Sequence, residues 1–251
     1  MVDELRRGAE RMGERASAAR NAATEKAESA KEAATEAIAS VKPRLRGVSH
    51  EWAFFISLVL GAALIIAAKT PQATLAVAIY AVSLSALLGT SALYHRVNWK
   101  RPDVRRWMRR LDHSMIFFLI AGTYTPFALL VLDGPLADAI LAVVWIGAVI
   151  GAIVEMVWIE HPKWVAALVY MSLGWVAVVA FPGMWEEMGV GGTLLVAAGG
   201  LLYTVGAVVY ATQRPNPSPR VFGYHEVFHA LVILAAAAHF AAVAFFALPA
   251  A

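Results

Sequence analysis

The chain has no cysteine among its 251 residues. Disulfides are therefore excluded, and so is any thiolate metal site; a metal here would use imidazole, carboxylate or water. The first 45 residues are polar and hold no apolar core before a cleavage site, so no secretory signal is expected. Amphipathic stripes are scarce as well. Apolar residues make up 60% of the chain, against less than half in a typical soluble domain, and they arrive in long runs.

Seven runs approach or exceed the roughly 20 residues that cross a bilayer as a helix. They lie near 50–68, 74–95, 112–132, 136–158, 164–182, 192–212 and 226–248. Barrel strands are shorter and alternate apolar with polar residues, which these runs do not. Backbone groups in lipid must bond within their own segment, so the runs are expected to be helices. The expected fold class is all-α, a seven-transmembrane helix bundle over residues 46–251, preceded by a polar arm over residues 1–45.

Basic residues are spread very unevenly. The stretch through Arg46 holds ten, the loop between the second and third runs holds seven, Lys163 follows the fourth run, and Arg214 and Arg220 follow the sixth. With seven spans, all of these share one side, and only Lys69 lies on the other. The positive-inside rule then places the N-terminus in the cytoplasm and the C-terminus outside. The net charge of +3 follows from this asymmetry and points to anionic lipid contact, with no nucleic acid as partner. The eight tryptophans fall mostly near span ends, as an aromatic belt would.

Residues 1–40 carry seven basic and eight acidic groups among alanines, with almost no large apolar side chain. Helix propensity is high, but there is no wide face to bury. The arm reads as a solvated, fraying helix or a disordered segment, with a surface or partner helix as the alternative. Lys42-Pro43 marks the hinge into the membrane domain.

Four side chains able to bind metal stand at the ends of apolar runs, all on the cytoplasmic side. The second run ends in Ser91-Ala92-Leu93-Tyr94-His95, where Ser91 and His95 share a helix face. The third opens with Asp112, which taken alone would be an ordinary N-cap. The last opens with His225 and His229, spaced i and i+4 so that both project to one side. Polar groups at membrane depth are expensive and persist mainly where they function. Three imidazoles and a carboxylate form a natural ligand set for Zn2+.

The string His225-Glu226-Val227-Phe228-His229 is also a literal H-E-x-x-H, the metalloprotease signature, with Glu226 as its general base. That reading needs a third ligand downstream. His239 lies ten residues on, about 15 Å along a continuous helix, too far to share one ion. Glu226 thus has two readings, a base or an interfacial supporting group. His50 is either interfacial or a neighbour of the ligands. Glu155 reads as paired or snorkelling, and His161, before Pro162, as a surface loop residue. In the third run, Thr123, Thr125 and Pro126 predict a kink with hydroxyls meeting the freed carbonyl.

The strings SALYHR at 91–96, RRLDHSMIFFLIAGTYTPF at 109–127 and HEVFH at 225–229 resemble the haemolysin III proteins of bacteria. Those proteins group with the progestin and adipoQ receptors, in a wider set that includes alkaline ceramidases. The resemblance runs from about residue 43 to the C-terminus, with the motifs in order and on the expected spans. It implies a zinc ion near the cytoplasmic face, held by His95, His225 and His229, with Asp112 holding a water and Ser91 beside it. It also implies a multi-pass protein of the bacterial cytoplasmic membrane. One departure stands out: Ser49-His50 occupies the place of a Thr-His in the receptor branch, but Pro43 and Arg46 stand where that branch has Glu and Asn.

Three histidines with an open fourth position is the catalytic form of zinc. Asp112 is then the expected general base, and Ser91 the residue that orients the water or helps stabilise an oxyanion. A pocket at the cytoplasmic leaflet among apolar helices calls for an amphipathic substrate. A lipid amide or ester fits, and the likeness to ceramidases implies the same. The alternatives are a membrane-homeostasis sensor with structural zinc, an intramembrane protease, or a pore-forming haemolysin. The last is disfavoured because a polytopic protein with charge anchors has no evident soluble form. Membrane lipids are the expected partners, and the sequence leaves the oligomeric state open.

Overall fold

The computed structural model describes residue 20 and residues 43–250. The chain divides between Pro43 and Arg44 into two units. The expected helical or disordered arm lies outside the described residues. The larger unit is all-helical, and among the described residues no strand forms.

Seven α-helices follow in order: α1 Val48–Ala67, α2 Pro71–Arg96, α3 Pro102–Leu130, α4 Gly134–Val157, α5 Lys163–Gly174, α6 Phe181–Thr212 and α7 Tyr224–Ala242. A 3-10 segment, Trp175–Ala180, joins α5 to α6, and a π turn over Val243–Ala247 extends α7. Local chemistry sets several starts. Thr70 caps α2, its Oγ1 accepting from the Ala73 N–H at 3.1 Å, and Pro71 occupies the first turn. Prolines likewise open α3, α4 and α6.

Among the described residues, six helical stretches are long and apolar enough to cross a membrane. They cover the seven expected runs because the fifth, Lys163–Thr212, is continuous over 50 residues. A straight helix of that length would extend about 75 Å, far beyond a hydrocarbon core of about 30 Å. It is not straight. Trp175 Nε1 donates to Thr204 Oγ1 at 3.1 Å, and Lys163 Nζ lies 5.5 Å from the centre of the Tyr210 ring. The stretch therefore doubles back on itself, and its one non-helical residue is Gly189, with φ 65° and ψ −172°. Glycine adopts that backbone without the steric penalty of a Cβ.

Each helix packs on a sequence neighbour, α5 reaches α3 and α4, and α7 closes the ring against α1. Close approach depends on small residues, as usual where helices pack in lipid. A Cβ on Gly122 would fall 2.3 Å from Ser83 Oγ, and one on Gly151 2.3 Å from the Phe117 ring. The Ser57 and Ser85 hydroxyls meet at 2.9 Å between α1 and α2. The outer surface carries exposed Val59, Ile66, Ile146, Val157, Leu201 and Phe245. Such an apolar exterior suits lipid, and a soluble monomer rarely carries so much of it.

Two expectations about α3 change. The helix starts at Pro102, ten residues before Asp112. Asp112 is therefore not an N-cap; it lies almost three turns inside, at 3.6 residues per turn. The arginines that precede it are helical rather than a loop. At the other end the helix runs on through Pro126, with Thr125 Oγ1 donating to the Ala121 carbonyl at 2.9 Å. Tyr124 has a role that its motif did not announce. Its hydroxyl donates to the Gly174 carbonyl and accepts from the Ala177 N–H, both at 2.6 Å, and so holds the 3-10 segment to α3.

Candidate metal centre

The entry to α1 is tied to the loop before α7 through backbone bonds from Arg44 to Arg220 and from Leu45 to Val221. This brings His50, in the first turn of α1, against α7. Gly223 precedes α7 in an extended conformation, and Glu226 reaches back to accept its N–H at 2.7 Å. The other Glu226 oxygen takes the Arg46 guanidinium. Glu226 is buried, with both oxygens engaged at the start of α7. The H-E-x-x-H string is thus two histidines on one helix face plus a capping glutamate.

His95, from the last turn of α2, meets His225 and His229 from α7. One ring nitrogen from each lies within 4.8 Å of the others. His95 Nε2 and His225 Nε2 are 3.1 Å apart. Ligands about 2.0–2.1 Å from a tetrahedral ion are separated by roughly 3.4 Å. One pair already has that spacing, so the donor set fits a metal ion. Asp112 Oδ2 stands 3.6 Å from His95 Nε2, and Ser91, one turn before His95, interacts with the Asp112 carboxylate. Ser91, His95, Asp112 and His229 are all buried, and His225 is half-buried. His50 stacks flat on His229, with ring centres 3.8 Å apart and planes 6° from parallel. That contact fixes the tilt of the His229 ring.

His239 stays out of the cluster, as its distance along the helix requires. His161, expected on the surface, is instead 8% exposed. Its Nε2 bonds Glu155 Oε1 at 2.9 Å, where the Tyr170 hydroxyl also donates at 2.9 Å. His113 Nδ1 approaches the other Glu155 oxygen at 3.4 Å. Glu155 is thus the paired group the sequence suggested, but His113 and Tyr170 were not foreseen. His113 follows Asp112 directly, and successive helix positions point about 100° apart. Asp112 therefore meets α2 while His113 meets α4. No local pattern marks the second of these directions.

The histidines open on a cavity of about 270 Å³. Ser91, Asp112, His225 and His229 line it at one end, and Phe127, Met184 and Val196 line it deeper among α3, α5, α6 and α7. The walls are overwhelmingly apolar, and pockets of this kind bind ligands through a few placed polar groups.

The family model for haemolysin-III-related proteins matches residues 38–240. "Hemolysin-3" of Bacillus cereus is 35% identical over 180 residues, 72% of this chain and 78% of that protein. The "Hemolysin-3 homolog" of Bacillus subtilis is 31% identical over 169 residues, 67% of this chain and 75% of the relative. "Monocyte to macrophage differentiation factor" of Homo sapiens is 30% identical over 168 residues, 66% and 67% of the two chains. A helical bundle with an apolar exterior, a histidine cluster at one end and this breadth of similarity make the chain a multi-pass membrane protein of the haemolysin III family, within the progestin and adipoQ receptor superfamily.

Proposed function

We propose that this protein is a zinc-dependent hydrolase that cleaves a lipid amide or ester at the cytoplasmic leaflet of the bacterial cytoplasmic membrane. One observation carries the reading: three imidazole nitrogens within 4.8 Å of one another open on an apolar cavity, with a buried carboxylate beside them. A structural zinc site is usually closed by four protein ligands, whereas this one has three and space.

When bound, zinc would supply a Lewis acid and bring the pKa of a coordinated water to about 7. Asp112 receives the proton of the attacking water and returns it to the leaving amine or alkoxide. Ser91 holds the Asp112 carboxylate toward the His95 side. Glu226 supports the start of α7 and takes no proton. The cavity walls take the acyl chain and exclude bulk water from the scissile bond.

The test is metal analysis of purified protein alongside hydrolysis assays on a panel of long-chain amides and esters. About one zinc per chain and slow turnover of a long-chain amide are expected. Zinc without cleavage of any member would instead favour a membrane sensor with structural zinc. The tie that the histidines make between α2 and α7, with His50 of α1 stacked on His229, supports that second reading.

The orientation belongs to the same proposal. The chain crosses seven times, because the stretch 163–212 passes in both directions with its turn at Gly189. Gly183, near that turn, faces Leu132 beyond the end of α3, the end away from the histidines. Twelve of the 13 basic residues from Arg44 onward then lie on the histidine side. Reporter fusions after residues 45, 100 and 220 should read cytoplasmic, and one at the C-terminus external. A cytoplasmic C-terminus would remove the seven-crossing topology.

A further inference from the structure

The cavity has a second polar place, deep in the bundle. His239 lies on α7 ten residues beyond His229, about 15 Å along the helix. Its ring reaches α6, where Nε2 is 3.1 Å from the Val196 carbonyl. Gly199 makes room for it, since a Cβ there would come within 2.3 Å of His239 Cδ2 and Nε2. A carbonyl can only accept, so Nε2 carries the proton and Nδ1 presents a lone pair. That Nδ1 is buried and has no hydrogen-bond partner among the described residues.

The Tyr203 ring, on α6, is centred 5.5 Å from that of His239. Its hydroxyl is also buried without a partner among the described residues. His239 and Tyr203 both line the cavity. A buried polar atom left without a partner costs free energy, so two together on an otherwise apolar cavity wall call for a ligand. A plain hydrocarbon chain would satisfy none of them. A ketone could accept from Tyr203 but would leave Nδ1 unmet. A hydroxyl answers both, donating to His239 Nδ1 and accepting from Tyr203.

We infer that His239 and Tyr203 form a polar subsite that takes a hydroxyl group carried mid-chain on the acyl portion of the lipid ligand, about 15 Å from the histidine cluster. The inference rests on the lipid reading of the cavity. That distance is on the order of a dozen methylene groups, so the hydroxyl belongs near the middle of a long acyl chain and not beside the carboxyl group.

The experiment measures binding of four acids to the purified, metal-loaded full chain in detergent: octadecanoate, 12-oxooctadecanoate, 12-hydroxyoctadecanoate and 2-hydroxyoctadecanoate. The 12-hydroxy acid should bind about tenfold more tightly than the other three. Tyr203→Phe should reduce the ratio of 12-hydroxyoctadecanoate to octadecanoate affinity severalfold, because only the contact to His239 Nδ1 then remains. The same variant, without ligand, should melt no lower than the parent, because it removes a hydroxyl that has no partner. Equal binding of all four acids would overturn the subsite and leave the lipid reading standing; a water held between the two groups gives this result. A 2-hydroxy acid as tight as the 12-hydroxy acid would overturn it too, since the contact would then lie elsewhere. Failure of every acid to bind would overturn the lipid reading, and the subsite with it.

Discussion

Replacing His225 and His229 together by Ala is expected to empty the metal site and lower thermal stability in the same variant. Both residues stand on one face of α7, and with His95 alone only one imidazole of the cluster remains. A metal that binds only the folded state stabilises it by about 4 kcal/mol when free ion exceeds Kd a thousandfold. For a chain of this size that corresponds to a fall in Tm on the order of 10 °C. Metal analysis and a thermal melt of the same preparation check this. Each single replacement, including His95→Ala, should lower occupancy less completely. Full zinc in the double variant would sink the ligand assignment. His161 would make a poor control despite its loop position, because it is buried and bonded to Glu155. His239→Gln is the better one for metal content alone, since its ring sits about 15 Å from the cluster.

Asp112→Asn should keep the metal and lose most of the turnover. The amide preserves the shape beside His95 and Ser91 but cannot take a proton from water. General-base catalysis by a positioned side chain contributes about 10²–10⁴-fold, and the loss should fall in that range in kcat. Glu226→Gln should retain substantial activity, because Glu226 is spent on the Gly223 N–H and the Arg46 guanidinium. Its cost should appear in stability, since removing one partner of a buried pair leaves the other charge uncompensated. The comparison is decisive in both directions. Glu226 essential with Asp112 dispensable would falsify the assignment and point to an intramembrane protease. If zinc content and membrane physiology depend on the three histidines while neither carboxylate matters, the structural-zinc sensor prevails.

The sequence by itself determined the helical class, the apolar runs, the charge asymmetry and the family. These follow from short-range rules. A run of about 20 apolar residues needs a closed backbone in lipid, and two histidines at i and i+4 share a face wherever the helix is placed. His95 was legible because its run ends there, and the tertiary fold does bring it within ligand distance of His225 and His229. The tertiary structure alone decided what depends on neighbours far along the chain. Asp112, which taken alone would be an ordinary N-cap, lies inside α3, which starts at Pro102, as a buried group beside His95. Glu226 has two readings, a base or an interfacial supporting group, until Arg46, 180 residues earlier, is found against it. His161 looks like surface until its contacts with Glu155 and Trp158 are seen. The sequence left His50 between an interfacial group and a neighbour of the ligands, and stacking on His229 places it; His239 is placed by the space that Gly199 leaves on α6. Helix periodicity tells which side chains share a face, but the partner that face meets is chosen by packing across the bundle, and it is that partner which decides whether a polar residue caps, pairs or binds.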